Sequence, residues 1–236
     1  MFPVKYDGLT AQLERVAIPA VNGRGMRRMR AIAITADKTA ASQQLLKEMH
    51  RLRARVFGGR LGWDVEIVEG SESDHFDDLN PVYILVLGDG GAVLGCARLL
   101  PATGPTMLVD AFPQLLADGR LDAHPRMIES SRFCVDTGAL EAMTARGLHR
   151  ATLTLFAAII EWSIGEGYRD IVTATDVRFE RLLVRARWPM RRLGEPQMIG
   201  ETLSVAGTLP ADEVSFAMVR PPGYRSELGV TRRSAA

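Results

Sequence analysis

Residues 127–136, MIESSRFCVD, constrain the chain more than any other stretch. Met127 and Ile128 form an apolar entry, and Phe133, Cys134 and Val135 form an apolar, β-prone exit. Between them stand Glu129, Ser130, Ser131 and Arg132. A strand with a carboxylate, two hydroxyls and a guanidinium in its middle can be buried only if those groups are paired or hydrogen-bonded. Strict alternation puts Glu129, Ser131 and Phe133 on one face and Ser130, Arg132 and Cys134 on the other. This stretch alone leaves two readings open. One is a polar strand in a binding cleft, with Glu129 as an acid/base or ligand anchor. The other is a buried Glu–Arg pair that fixes strand register.

The rest of the chain gives that strand an ordinary setting. A length of 236 residues fits one large domain or two small ones and can bury an ample core. Net charge is +1, so no global field argues for nucleic acid. Cys96 and Cys134 each lie in an apolar run, which favours buried thiols over a disulfide or a metal site. His50, His75, His124 and His149 are scattered without metal-ligand spacing. Apolar runs are too short for a membrane span, and the N-terminus lacks a signal-peptide core, so a cytoplasmic enzyme is expected.

Residues 1–28 read as an N-terminal extension, residues 29–220 as the domain proper, and residues 221–236 as a polar, frayed tail. MRAIAI opens the domain as a first strand. Residues 40–56 repeat apolar side chains at helical spacing through Leu45, Met49, Leu52 and Val56. Gly58, Gly59 and Gly62 flank Phe57 and Trp63, which suggests a loop folded closely over something. The acidic run SESDHFDDLN follows, and a solvated loop is the plain reading of such a run. Residues 82–87 and 92–100 pair as a hairpin across Gly88–Gly91, with Arg98 interrupting an apolar face. Leu108, Val109, Ala111 and Phe112 lead into a short helix before Gly119. Residues 138–149 are a linker, 150–164 an apolar helix, 170–175 a strand, and 176–187 a basic helix. A last strand pair is expected at about 198–205 and 214–219. Alternating strands and helices behind a front hairpin make a mixed-sheet α/β fold.

Arg53, Phe57 and Trp63 occur as R-x3-F-x5-W, Asp74 and Asp77 as D-x2-D, and Glu129, Ser131 and Arg132 as E-x-S-R-F. Arg98 and Phe112 fall between them. This ordered set, from about Met29 to about Val219, resembles the LuxI-type acyl-homoserine lactone synthases, which make autoinducers for bacterial quorum sensing. The resemblance implies a fold related to the GCN5-type N-acetyltransferases, with a twisted mixed sheet and a V-shaped acyl cleft. It implies two substrates, S-adenosylmethionine and an acyl thioester on acyl carrier protein or coenzyme A, and no prosthetic group. The products would be an N-acyl-homoserine lactone and methylthioadenosine. The glycine-rich pyrophosphate turn of N-acetyltransferases is incomplete here: the region reads Ala145-Arg146-Gly147-Leu148-His149-Arg150, without its second glycine.

That chemistry assigns candidate roles. Asp74 and Asp77 can hold the ammonium and sulfonium end by charge. Phe57 and Trp63 can stack on adenine or face the sulfonium, with Phe112 and Phe133 beside them. Arg53 or Arg132 can grip the carboxylate. Glu129 is the candidate base that takes a proton from the ammonium, directly or through water, with a pairing to Arg98 as its alternative role. A backbone N–H at a strand irregularity near Arg98–Leu100 can meet the oxyanion, and Ser131 can orient Glu129 or a loop. Phe133, Trp162, Thr173 and Thr175 are candidates for the acyl pocket, although helix spacing alone favours core packing for Trp162. Arg146, Arg150, Arg178 and Arg181 are candidates for docking an acidic carrier or a CoA phosphate. Two other readings compete: a GCN5-like N-acyltransferase for another amine, and a non-catalytic binder.

Overall fold

The computed structural model describes residues 29–35, 39–137 and 145–229, with side chains at all of these but 145–149. The expected extension 1–28 lies outside the described residues, as does most of the linker at 138–144.

β1 (Arg30–Ile34) is followed by α1 (Ala40–Arg53), which Thr39 caps by accepting from the Ser42 N–H. The expected helix to residue 56 instead widens after Arg53 into a π-helical turn, Ala54–Arg60. β2 (Ile67–Val68) and β3 (Ser71–Glu72) form a small ribbon, and a 3-10 turn covers His75–Leu79. β4 (Val82–Leu87) and β5 (Val93–Pro101) are the expected hairpin. Then come α2 (Met107–Ala111), β6 (Met127–Val135), α3 (Ala145–Gly165), β7 (Asp170–Asp176) and α4 (Val177–Arg185). β8 (Arg191–Arg192), β9 (Gln197–Ile199), β10 (Thr202–Pro210), α5 (Glu213–Val219) and β11 (Ser226–Glu227) complete the fold.

Two expectations at the C-terminal end need correction. Residues 214–219 are the helix α5, not a strand, because Asp212 caps the turn by accepting from the Ser215 N–H at 2.7 Å. The residues after 221 are not a loose tail as far as Gly229. Ser226 and Glu227 pair in parallel with Ala31 and Ile32, and Leu228 is buried.

The main sheet runs β11-β1-β4-β5-β6-β7-β10-β8, with β9 beside β10. One face packs on α1 through Met49, Leu52, Phe57, Leu85 and Cys96. The other packs on α3, α4 and α5 through Ala97, Leu155, Phe156, Leu183 and Val219. Antiparallel pairing dominates, with two exceptions: the β1–β11 edge and the central pair β6–β7.

The central pair decides the shape of the cleft. β6 and β7 pair only through Met127–Asp170, Ile128–Ile171 and Glu129–Val172. Beyond Glu129 they part into a fork, and the Thr173 hydroxyl donates to the Ser130 carbonyl at 2.7 Å just past the split. A bulge in β6 accompanies the parting. Cys134 sits opposite Cys96 but Ser131 sits opposite Arg98, so Arg132 and Phe133 share the place facing Ala97. Arg132 takes the positive φ of 51° that the extra residue demands.

Candidate active site

The bulge overturns strict alternation. Glu129, Ser131, Arg132 and Cys134 face the α1 side, whereas Ser130 and Phe133 face the α3 side. One extra residue switches every later side chain to the opposite face. The Cys96 and Cys134 thiols meet at 3.4 Å as a buried, unbridged pair.

On the α1 side, three arginines and three carboxylates close into a ring. Arg53 bonds Glu72 and, with two hydrogen bonds of 2.8 Å, Asp77. Arg98 bonds Asp77 at 3.0 Å and also Asp74. Arg132 bonds Asp74 at 2.7 Å and Glu72 at 3.0 Å, which returns the ring to its start. Each charge therefore meets two opposite charges, the condition under which buried ions are tolerated. The Tyr83 hydroxyl donates to Asp77 at 2.7 Å.

Local structure explains the D-x2-D spacing. Asp74 caps the 3-10 turn by accepting from the Phe76 N–H, while Asp77 accepts from the Asp74 N–H. This is the reciprocal capping box, which requires a three-residue offset. The acidic run is thus folded against the sheet rather than solvated. Burial pushes the Asp77 carboxyl up, but hydrogen bonds from Arg53 and the charges of Arg53 and Arg98 hold it well below the usual range.

The ring changes several candidate roles. Arg53 is fully buried and committed to Glu72 and Asp77, so it supports the site from behind. Asp74 and Asp77 are both doubly paired, each bracing two of the arginines. Both line a polar cleft of about 460 Å³ with His50, Glu66, His75 and Tyr83. Ser131 does not orient Glu129; it accepts from Arg98 Nε at 3.1 Å. Glu72 was not among the residues singled out. Within the acidic stretch nothing distinguishes it from Glu66 or Glu69, and only its long-range partners Arg53 and Arg132 reveal it.

Arg132 carries the ring toward the aromatic residues. Its guanidinium lies 5.4 Å from the centroid of Phe57, and Phe57 stacks on Trp63 at 5.0 Å with 12° between the planes. The π-helical turn makes this stack, since Leu61 N–H reaches back to Val56 and Trp63 N–H to Phe57. A Cβ on Gly58 would meet the tip of the exposed Ile67 side chain, which would have to move aside. Arg55 and Arg60 tie the turn to Asp136 and Thr137 at the exit of β6. Trp63 keeps 41% of its surface exposed. Phe112 is half-buried on the Leu108–Leu115 cluster at the end of α2.

Glu129 is almost fully buried at the last paired position of the fork. Its carboxylate accepts from the Leu108 N–H at 2.7 Å and the Met107 N–H at 3.0 Å, and so holds the start of α2. The alternative pairing with Arg98 does not form: Arg98 bonds Asp74, Asp77 and Ser131 through Nε and Nη1, and its buried Nη2 has no hydrogen-bond partner. Burial pushes the Glu129 carboxyl up, and the two backbone N–H bonds only partly oppose it. Met107 sulfur receives an Arg132 N–H at 3.3 Å, which joins α2 to the ring. The irregularity expected near Arg98–Leu100 lies at its edge, between Cys96 and Arg98, and the extra residue belongs to the facing strand β6.

On the α3 side lies a narrow apolar crevice under the fork. Ser130, Phe133, Phe156, Thr173, Phe179 and Trp188 line it. Phe133 and Thr173 were expected there, and Thr175 lies two residues further out on the same face of β7. Phe133 cannot also join the Phe57–Trp63 stack, because the bulge aims it away. Trp162 is core: it is buried and stacks on Tyr168 at 5.9 Å. Phe156, Phe179 and Trp188 were missed, because their approach to β6 is set by helix packing. The proposed basic rim does not converge on one contact. Arg150 donates to the Gly223 carbonyl, Arg178 and Arg181 are exposed on α4, and the Arg146 side chain lies outside the described residues.

The chain and its fold have clear counterparts among known proteins. Residues 37–219 match the model of the family described as autoinducer synthase. The chain belongs to the autoinducer synthase family. It is 59% identical over 198 residues to an acyl-homoserine-lactone synthase of Agrobacterium fabrum, covering 84% of this chain and 94% of that protein. The crystal structure of the AHL synthase LasI superposes with a TM-score of 0.71 at 32% identity, covering 82% of this chain and 95% of that one. TofI in a ternary complex with an inhibitor and MTA gives 0.69 at 29% identity, covering 82% and 98%. A putative N-acetyltransferase from Lactobacillus plantarum, at 0.52 and 15% identity over 78% and 99%, shares the fold alone. This member of the family is accordingly an enzyme, an acyltransferase of the acyl-homoserine-lactone synthase kind. No helix among the described residues is long and apolar enough to cross a membrane.

Proposed function

We propose that the fork separates the two substrates of lactone synthesis, with S-adenosylmethionine on the Glu129 face of β6 and the acyl chain on the Phe133 face. The observation that carries this reading is the bulge at Arg132, which gives one strand a charged face and an apolar face at the point where β6 and β7 part. S-adenosylmethionine brings an adenine and a carboxylate. The exposed Trp63 over Phe57 offers a stacking surface, and Arg132 a cation for the carboxylate.

Glu129 takes a proton from the substrate ammonium. Its carboxylate retains lone pairs beyond the two N–H bonds, and burial raises its proton affinity toward the working range of a base. The freed amine attacks the thioester carbonyl, backbone N–H groups at the bulge meet the oxyanion, and the thiol leaves. The methionyl carboxylate then attacks its own γ-carbon and expels methylthioadenosine. Arg98, held by Ser131, keeps the acidic turn against the sheet while this happens. The donor is a thioester of acyl carrier protein or coenzyme A, approaching over Arg178 and Arg181 on α4. Both substrates belong to the cytoplasm, which is where the enzyme would work.

Mass spectrometry of purified protein with S-adenosylmethionine and a panel of acyl-carrier-protein and acyl-CoA thioesters tests the reading. A lactone with stoichiometric methylthioadenosine is expected. Thioester loss that requires an added foreign amine, without methylthioadenosine, would instead indicate a GCN5-like N-acyltransferase.

A further inference from the structure

The apolar crevice has a rim and a floor of different character. At the rim, Phe133 and Phe179 are half-buried and meet edge to face at 5.0 Å. At the floor, Phe156 and Trp188 are buried and meet at 5.5 Å and 60°. Trp188 is fixed from two directions. Its indole N–H donates to the Pro210 carbonyl at 2.9 Å, and its backbone N–H donates to the Leu183 carbonyl at 3.0 Å. The left-handed residue before it, Arg187 with φ of 63°, turns the chain so that the indole points back under the sheet. A rim phenylalanine can rotate toward solvent, but a buried indole held by its own hydrogen bond, on a backbone held by another, has nowhere to go.

The position of that indole along the fork is set by register. Pro210 pairs with Asp170 and Leu209 with Ile171. These are the β7 residues that still pair with Met127 and Ile128 of β6, so Trp188 stands beneath the closed end of the fork. A chain entering at Thr173, where the strands have parted, runs toward that closed end and meets the indole.

We propose that Trp188 is the stop at the end of the acyl crevice and sets the longest acyl chain this enzyme accepts. The proposal rests on the crevice being the acyl site. Saturated straight-chain acyl thioesters of increasing length, offered with S-adenosylmethionine both singly and in competition with one another, test it by product mass spectrometry. In Trp188→Leu the longest accepted chain should grow by about two to four carbons as side-chain volume is removed from the floor. The longest acceptable donor should gain about tenfold in kcat/KM, while the shortest donors gain nothing. Trp188→Phe should show a smaller shift in the same direction, and carries the test if the leucine variant fails to fold. Phe179→Ala, a rim change, should alter kcat/KM for all lengths together and leave the cut-off where it was.

A uniform fall in kcat/KM at every length in a folded Trp188 variant would reduce Trp188 to a structural residue and overturn the proposal. An unchanged cut-off would do the same. Absence of lactone from the wild-type enzyme with every donor would overturn the acyl-site reading itself, a result separable from either of these.

Discussion

The two faces of β6 solve opposite problems with the same nine residues. On the α1 face, Ser131 and Arg132 enter a hydrogen-bonded ring in which every buried charge has two partners. On the α3 face, Phe133 joins a cluster of aromatic rings with Phe156 and Phe179. The charged face is specified by paired geometry, so losing one partner leaves its neighbours buried and undercompensated. The apolar face is specified by volume, so a change there alters shape and selectivity first. A charged substrate and an apolar substrate can thus be held on either side of one strand without either site compromising the other.

The largest effect should come from breaking the ring. Arg53→Met leaves Glu72 and Asp77 with one arginine each and should destabilise the protein by about 3–5 kcal/mol. Denaturant unfolding measures this, and a loss below about 1 kcal/mol would mean that the ring relaxes around the gap. The effect should also depend on pH. Asp77 has a depressed carboxyl, so its stabilisation is present above the ordinary carboxylate pKa and disappears as pH falls toward its folded value. Arg53→Met should therefore matter most near neutrality and progressively less in acid.

An intermediate effect should come from the junction of the faces. Glu129→Gln should lower kcat about 10²–10⁴-fold, the range for a lost general base. S-adenosylmethionine affinity, read by calorimetry, should change only a few-fold. In the wild type the raised Glu129 carboxyl favours the folded state at low pH, and that stabilisation is lost as pH rises through its folded value. Catalysis needs the opposite form. Activity should rise with pH through that same value, with an acid limb above the ordinary carboxylate range that Glu129→Gln removes. Full activity in Glu129→Gln would leave the carboxylate as the cap of α2 alone.

The smallest effect should come from the fork. Thr173→Val removes the hydrogen bond to the Ser130 carbonyl and should cost about 1 kcal/mol. Its signature should be a modest fall in kcat/KM for the acyl donor with unchanged affinity for S-adenosylmethionine. A change in S-adenosylmethionine affinity of equal size would show that the two faces are coupled through the strand.

Much of this was legible in the chain. The polar middle of 127–136 announced a strand whose charges needed partners, and the front hairpin, the apolar helix and β7 followed from local patterns. The ten ordered positions pointed to the family, and Arg132, Trp63, Glu129 and Thr173 all stand at the fork or beside the ring. What the sequence could not show depends on long-range register. Alternation is a local rule, and the single extra residue at Arg132 defeats it, moving Phe133 from the charged side to the apolar side. Glu72 closes the ring with an arginine sixty positions away, and Trp188 reaches the crevice only because β10 lies beside β7. Local chemistry determined which groups must be paired or buried; tertiary structure decided which partners they met, because pairing across a sheet is fixed by register and no local period records it.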